Sequence, residues 1–145
     1  MKFLLIVPLL LAVGLCAQAQ QTKQPPKAPV VPYTIPEEAV HQANPVKATP
    51  ESIAHGKKWY GYDCAMCHGE NGDGKGDTAN DMKLSVRDLR DPSTLKGMSD
   101  GEMYYIIENG NGKCPPEDGR AKPDSIWNLV VYMRSFSDPK VLPTK

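Results

Sequence analysis

Two cysteines and a histidine fall within five positions in Cys64-Ala65-Met66-Cys67-His68, and no other stretch limits the fold as much. Thiols at that spacing lie one short turn apart, so whatever they hold is gripped at a single point of the chain. The residues alone leave three readings open: a metal site, a redox disulfide, or the anchor of a covalent cofactor. The remainder of the 145 residues amounts to one small domain, with 23% charged residues and a net charge of zero. No Lys/Arg block supplies the basic patch that nucleic acid requires, which leaves a small ligand or a protein partner.

Residues 1–19 read as a secretory signal peptide, with Lys2, an apolar run from Phe3 to Ala17, and small residues at Ala17 and Ala19. The run is about 15 residues, short of the roughly 20 that span a bilayer. The alternative is lipoprotein processing at Cys16, although Leu15 stands where a small residue belongs. An exported protein, periplasmic or beyond and soluble after cleavage, then keeps Cys64, Cys67 and Cys114, and three thiols cannot all pair within one chain. A disulfide between Cys64 and Cys67 would close a loop too small to stabilise much.

Residues 20–48 contain six prolines and few large apolar side chains, the composition of a disordered linker or arm. Order is expected from Thr49-Pro50-Glu51, an N-cap, an N1 proline and a first-turn acid. That helix runs to about Tyr62, with Ile53, Gly56 and Tyr60 on one face. Ser99-Asp100-Gly101-Glu102 forms a capping box ahead of Met103, Ile106 and Ile107. A third helix begins near Pro123 and aligns Ile126, Leu129, Val130 and Met133 at i, i+3, i+4 and i+7. No segment alternates with period two, so the fold is all-α, with long loops at 69–98 and 109–122, a domain over 49–137 and a tail over 138–145. Such loops around so few helices leave the domain short of an apolar core of its own. A bound planar group would fill the middle.

A Cys-x-x-Cys-His run meets that need as a c-type haem attachment: two thiols add to the haem vinyl groups while the adjacent histidine reaches the iron. Zinc would need four ligands, and Cys64, Cys67, His68 and Cys114 could supply them, but adjacent Cys67 and His68 are unlike the spacing of structural zinc sites. The glycine run with Asn71, Asp73 and Asp77 fails as a calcium loop, because Lys75 and Met82 stand where ligands belong.

On three stretches the chain resembles a small single-haem class I bacterial cytochrome c: Gly56 to Asp77, Met98 to Pro116, and Asp124 to Phe136. The resemblance implies the class I cytochrome c fold, three to five short helices around one covalent haem c and its iron. It implies first and last helices that cross, with Gly56 and Tyr60 meeting Leu129 and Tyr132. It implies Cys64 and Cys67 as the haem anchors, His68 as the proximal ligand, and electron transfer rather than catalysis as the task, carried out by a monomer between redox partner proteins such as a membrane-bound reductase or oxidase.

Where that family places its distal methionine, the sequence reads Gly112-Lys113-Cys114-Pro115-Pro116. Cys114 is therefore the distal candidate, with Met98 and Met103 as weaker alternatives and His41 and His55 as remote ones. Arg87, Arg90 and Arg120 are candidates to pair with the haem propionates. The rival reading is a haem enzyme or sensor, with a cysteine-ligated or open distal site, for sulfur-compound or small-gas chemistry.

Overall fold

The computed structural model describes residues 33–138, which lie within the second of two compact units, residues 32–145. The expected signal peptide, Cys16, the first part of the linker and all of the tail beyond Asp138 lie outside the described residues. Among the described residues there are six helical segments and no strand: α1 (Glu37–Val40), α2 (Pro50–Asp63), α3 (Ala65–His68), α4 (Asp77–Asp81), α5 (Asp100–Asn109) and α6 (Pro123–Ser135). That is one more than the expected upper bound. α4 interrupts the first long loop, and α1 falls in the stretch expected to be a linker.

The three long helices start as their sequences dictate. Thr49 caps α2 by accepting from the Ser52 amide, and Ser52 Oγ accepts in return from the Thr49 amide at 2.8 Å. Ser99 and Glu102 form the same reciprocal pair at α5, and Pro123 occupies the first position of α6. The two reciprocal pairs satisfy amides that a helix start leaves without a partner, and proline at the first position of α6 has no amide hydrogen to satisfy.

α2 lies against α6 so closely that a Cβ on Gly56 would stand 2.1 Å from the Asn128 carbonyl oxygen and 2.7 Å from Tyr132 Cβ. One turn on, the Tyr60 ring meets Tyr132 edge to face at 5.3 Å and Phe136 at 5.2 Å. Gly56 and Tyr60 thus both meet Tyr132, Tyr60 and Leu129 share one apolar cluster, and Gly56 also meets Asn128. Leu129, Val130 and Ile126 are at most 1% exposed and join Tyr60, Leu89, Leu95, Met103, Tyr104, Ile107 and Trp127 in one apolar cluster. The Tyr104 and Trp127 rings stack at 4.2 Å. Loop residues Leu89 and Leu95 supplement the helices, so the domain has more core of its own than the long loops implied.

The compact body also begins earlier than Thr49. Asn44 donates to Asp100 at 3.1 Å, and the Tyr33 ring lies 6.2 Å from that of Tyr105, which ties residues 33–48 to α5. Ala39 is 7% exposed. Asp100 also accepts from Arg134 Nε at 2.9 Å, and the same guanidinium donates to the Leu95 and Met98 carbonyls. One arginine on α6 therefore fastens the loop before α5 to the helix start that holds the N-terminal segment.

The contact at Gly56 has a measurable consequence. Gly56→Ala should lower unfolding free energy by about 1–3 kcal/mol through overpacking against α6. Gly61→Ala, on the same helix with open space around it, should raise it by about 0.5–1 kcal/mol. Urea denaturation of the two variants reads both signs.

Candidate haem site

α2 ends where the motif begins. The Cys64 amide still donates to the Tyr60 carbonyl at 3.0 Å, and the Cys67 and His68 amides both donate to the Cys64 carbonyl, at 3.1 and 2.9 Å. The chain therefore makes one further turn, α3, and both thiols and the imidazole ride on it. The glycine-rich segment folds back to brace that turn: Gly74 N–H donates to the His68 carbonyl at 2.8 Å and Gly76 N–H to the Cys67 carbonyl at 3.2 Å. The buried Tyr60 hydroxyl donates to the Gly69 carbonyl at 2.8 Å. Tight turns that return to the motif account for these glycines.

All three cysteines in the described residues are free thiols, and each is partly buried. Burial, with added repulsion from Cys114, Glu117 and Asp63, pushes the Cys64 thiol up to about 12. Cys114 is also raised, first by burial and then by the Glu117 and Cys67 charges. The charges of Cys114 and of the two motif thiols thus act on one another. The Cys114 loop is held by Asn111, whose Oδ1 accepts from the Cys114 amide at 2.8 Å and the Lys113 amide at 3.1 Å. The Glu117 and Asp118 amides donate back to the Ile107 and Glu108 carbonyls on α5, each at 2.9 Å.

His68 is lowered below its ordinary value, first by burial and then by the Arg87 charge, so its ring is neutral at neutral pH and able to bind metal. Its Nδ1 is buried without a hydrogen-bond partner. Among the described residues no three His, Cys, Asp or Glu side chains assemble as a metal-holding group.

The other candidates separate by position. Met103 lies inside the core on α5 at 2% exposure, and Met98 packs at its edge. His41 is exposed and 3.8 Å from Glu37, and His55 is exposed on α2. Arg90 is engaged by Asp88 through two hydrogen bonds of 2.9 and 2.7 Å. Arg120 pairs with Asp63 and, at 3.5 Å, with Glu117. Arg87 makes no ion pair among the described residues and is near enough to His68 to shift it.

The family of cytochrome c oxidase, cbb3-type, subunit III, matches residues 51–133. The chain belongs to that family of c-type cytochromes. It is 33% identical over 82 residues to the cbb3-type cytochrome c oxidase subunit FixP of Azorhizobium caulinodans, covering 56% of this chain and 26% of that one. It thus spans about a quarter of the length of the FixP subunits that it matches. Cytochrome c6 of Chlorolobion braunii is 30% identical over 81 residues, 56% of this chain and 86% of that protein. Among solved structures, the KustC0563 c-type cytochrome aligns with a TM-score of 0.51 at 26% identity, covering 57% of this chain and 98% of that one. The Kuenenia stuttgartiensis reducing HAO-like protein complex Kustc0457/Kustc0458 aligns at 0.55 and 26%, covering 65% and 47%.

As a member of this family the cytochrome carries covalently bound haem c with its iron and serves haem-based electron transport. The residues of this chain fit such a group. Two unpaired thiols stand on one braced turn, followed at once by a neutral histidine with an unsatisfied buried nitrogen, the donor set that haem c needs.

Sequence reasoning missed Glu117. Its residue exposure is 4%, its Oε2 has no hydrogen-bond partner, and burial and Asp63 raise its carboxyl while Arg120 opposes them. A glutamate after two prolines gives no sequence signal of burial. The folded chain binds this proton more tightly than the unfolded chain does, so the group costs nothing in acid and costs stability as pH rises through its raised value. Glu117→Gln removes the charge and keeps a polar side chain, so its stability relative to the parent should be higher near neutral pH than in acid. Urea denaturation of the haem-loaded protein across pH measures the difference.

Proposed function

We propose that this cytochrome is an exported single-haem carrier that passes one electron at a time between redox partner proteins. In this reading Cys64 and Cys67 hold the haem by thioether bonds, His68 is the proximal ligand and Cys114 the distal one. The observation that carries it is the braced α3 turn, which holds Cys64, Cys67 and His68 together and is bonded back by Gly74 and Gly76. The iron stores the transferred electron, and the chain's task is to hold its surroundings nearly unchanged between the two redox states. The polypeptide supplies that rigidity: α2 fixed on α6, the glycine segment fastened to the motif, and the distal loop fastened to α5. Among the described residues no helix is long and apolar enough to cross a membrane. Together with the signal-like residues 1–19, this supports an exported domain over residues 33–137 that meets its partners from the aqueous side. The FixP relatives, named as subunits of a cbb3-type cytochrome c oxidase, point to an oxidase as one partner.

The likeness to the reducing HAO-like protein complex favours one other reading, a haem enzyme or sensor. A thiol that stays protonated leaves the iron open, whereas ligation requires the thiolate.

Denaturing electrophoresis with haem staining should show haem retained on the wild type and lost from the double variant Cys64→Ala with Cys67→Ala. In the wild-type ferric spectrum the iron should be low-spin. Cys114→Met should raise the reduction potential, because a neutral thioether stabilises ferric iron less than an anionic thiolate does. A high-spin wild type, unchanged in Cys114→Ala, would select the open-site reading.

A further inference from the structure

One exposed surface of the domain is not used by the haem reading. On the solvent side of α2, His55, Lys58, Trp59 and Tyr62 recur at i, i+3, i+4 and i+7, and with Arg120 and Lys122 they line a cavity of about 470 Å³. Trp59 and Tyr62 pack edge to face at 6.0 Å, and Tyr62 is 59% exposed. No carboxylate lines the cavity. Asp63 and Glu117, the acids nearest Arg120, are occupied by it, which leaves Lys58 and Lys122 as its uncompensated cations.

We infer that this groove is the docking surface for an acidic segment of a redox partner protein. The inference rests on the carrier reading above and adds where, and by what chemistry, the partner binds. Tryptophan, tyrosine and arginine are the residues that anchor protein interfaces, and here they are framed by cations that complement carboxylates. The parts of this chain outside the described residues do not fit: residues 1–32 and 139–145 include Lys2, Lys23, Lys27, Lys140 and Lys145 but no Asp or Glu. The position suits electron transfer, since Tyr62 stands two residues before Cys64 and the Arg120 charge reaches the Cys64 thiol. Exposed ion pairs contribute little each, so the complex forms fast under electrostatic steering and parts readily, as a carrier requires.

The test uses the haem-loaded full chain and an end-blocked octaglutamate peptide, with the two tryptophan indole N–H signals read by NMR. At low salt the peptide should shift Trp59 and leave Trp127, 4% exposed in the core, unmoved, and high salt should abolish the shift. Lys58→Glu with Lys122→Glu should weaken the peptide about tenfold and slow one-electron oxidation by ferricyanide. Lys75→Glu with Lys96→Glu, off the groove, should change neither. Three results would each overturn the inference: equal effects of the two pairs, a Trp59 shift with phosphatidylglycerol vesicles but not with peptide, or a Trp59 shift that grows with protein concentration alone, which would mark a second copy as the occupant. Haem staining of the same variants separates failure of this inference from failure of the haem reading.

Discussion

The contact between α2 and α6 at Gly56 is the constraint on which the remainder of this cytochrome domain depends. Only a residue without a side chain lets the two backbones approach so closely, since a Cβ there would stand 2.1 Å from the Asn128 carbonyl oxygen. With the helices locked, Tyr60 is carried into the cluster of Tyr132 and Phe136 rings, and its hydroxyl reaches the carbonyl of Gly69 beyond the motif. The far end of α2 and the turn that follows it are thereby fixed together. The position of Cys64, Cys67 and His68 is a consequence of helix packing that begins at Gly56, about two turns of helix before the first thiol.

Charge organises the second layer. Arg134 binds Asp100 and two loop carbonyls, and Asp100 in turn accepts from Asn44, so the segment before α2, the loop before α5 and α6 share one node. Arg120 does the corresponding work at the site, joining Asp63 at the end of α2 to Glu117 beyond Cys114. The Arg134 node is partly buried, where a charge needs a partner because desolvation is costly. Around the groove, Asp63 and Glu117 are engaged by Arg120, so a chain of zero net charge still presents a locally basic surface there.

The three long helices were legible because local chemistry decides them. Thr49 with Ser52 and Ser99 with Glu102 satisfy helix starts with side chains a few residues away, and Pro50 and Pro123 suit the first helical position by their fixed φ. The motif was legible for the same reason, being five consecutive residues. α1 was not: a single turn in a proline-rich stretch forms because α5 offers it a surface, and no periodicity within four residues could announce that. The apolar contribution of Leu89 and Leu95 was hidden likewise, because a leucine in a loop has no helical spacing to mark its inward face.

The sequence by itself determined where the helices start, that two thiols and a histidine share one turn, and that a cysteine occupies the distal position of the family pattern. Only the tertiary structure decided that the loop carrying Cys114 is fastened to α5, that Glu117 is buried with an unsatisfied oxygen, and that Arg120 is engaged while Arg87 makes no ion pair among the described residues. The first group depends on neighbours within about one helical turn, where spacing translates directly into geometry. The second depends on partners tens of residues apart, such as Asp63 with Arg120, whose meeting is fixed by how α2, α5 and α6 pack.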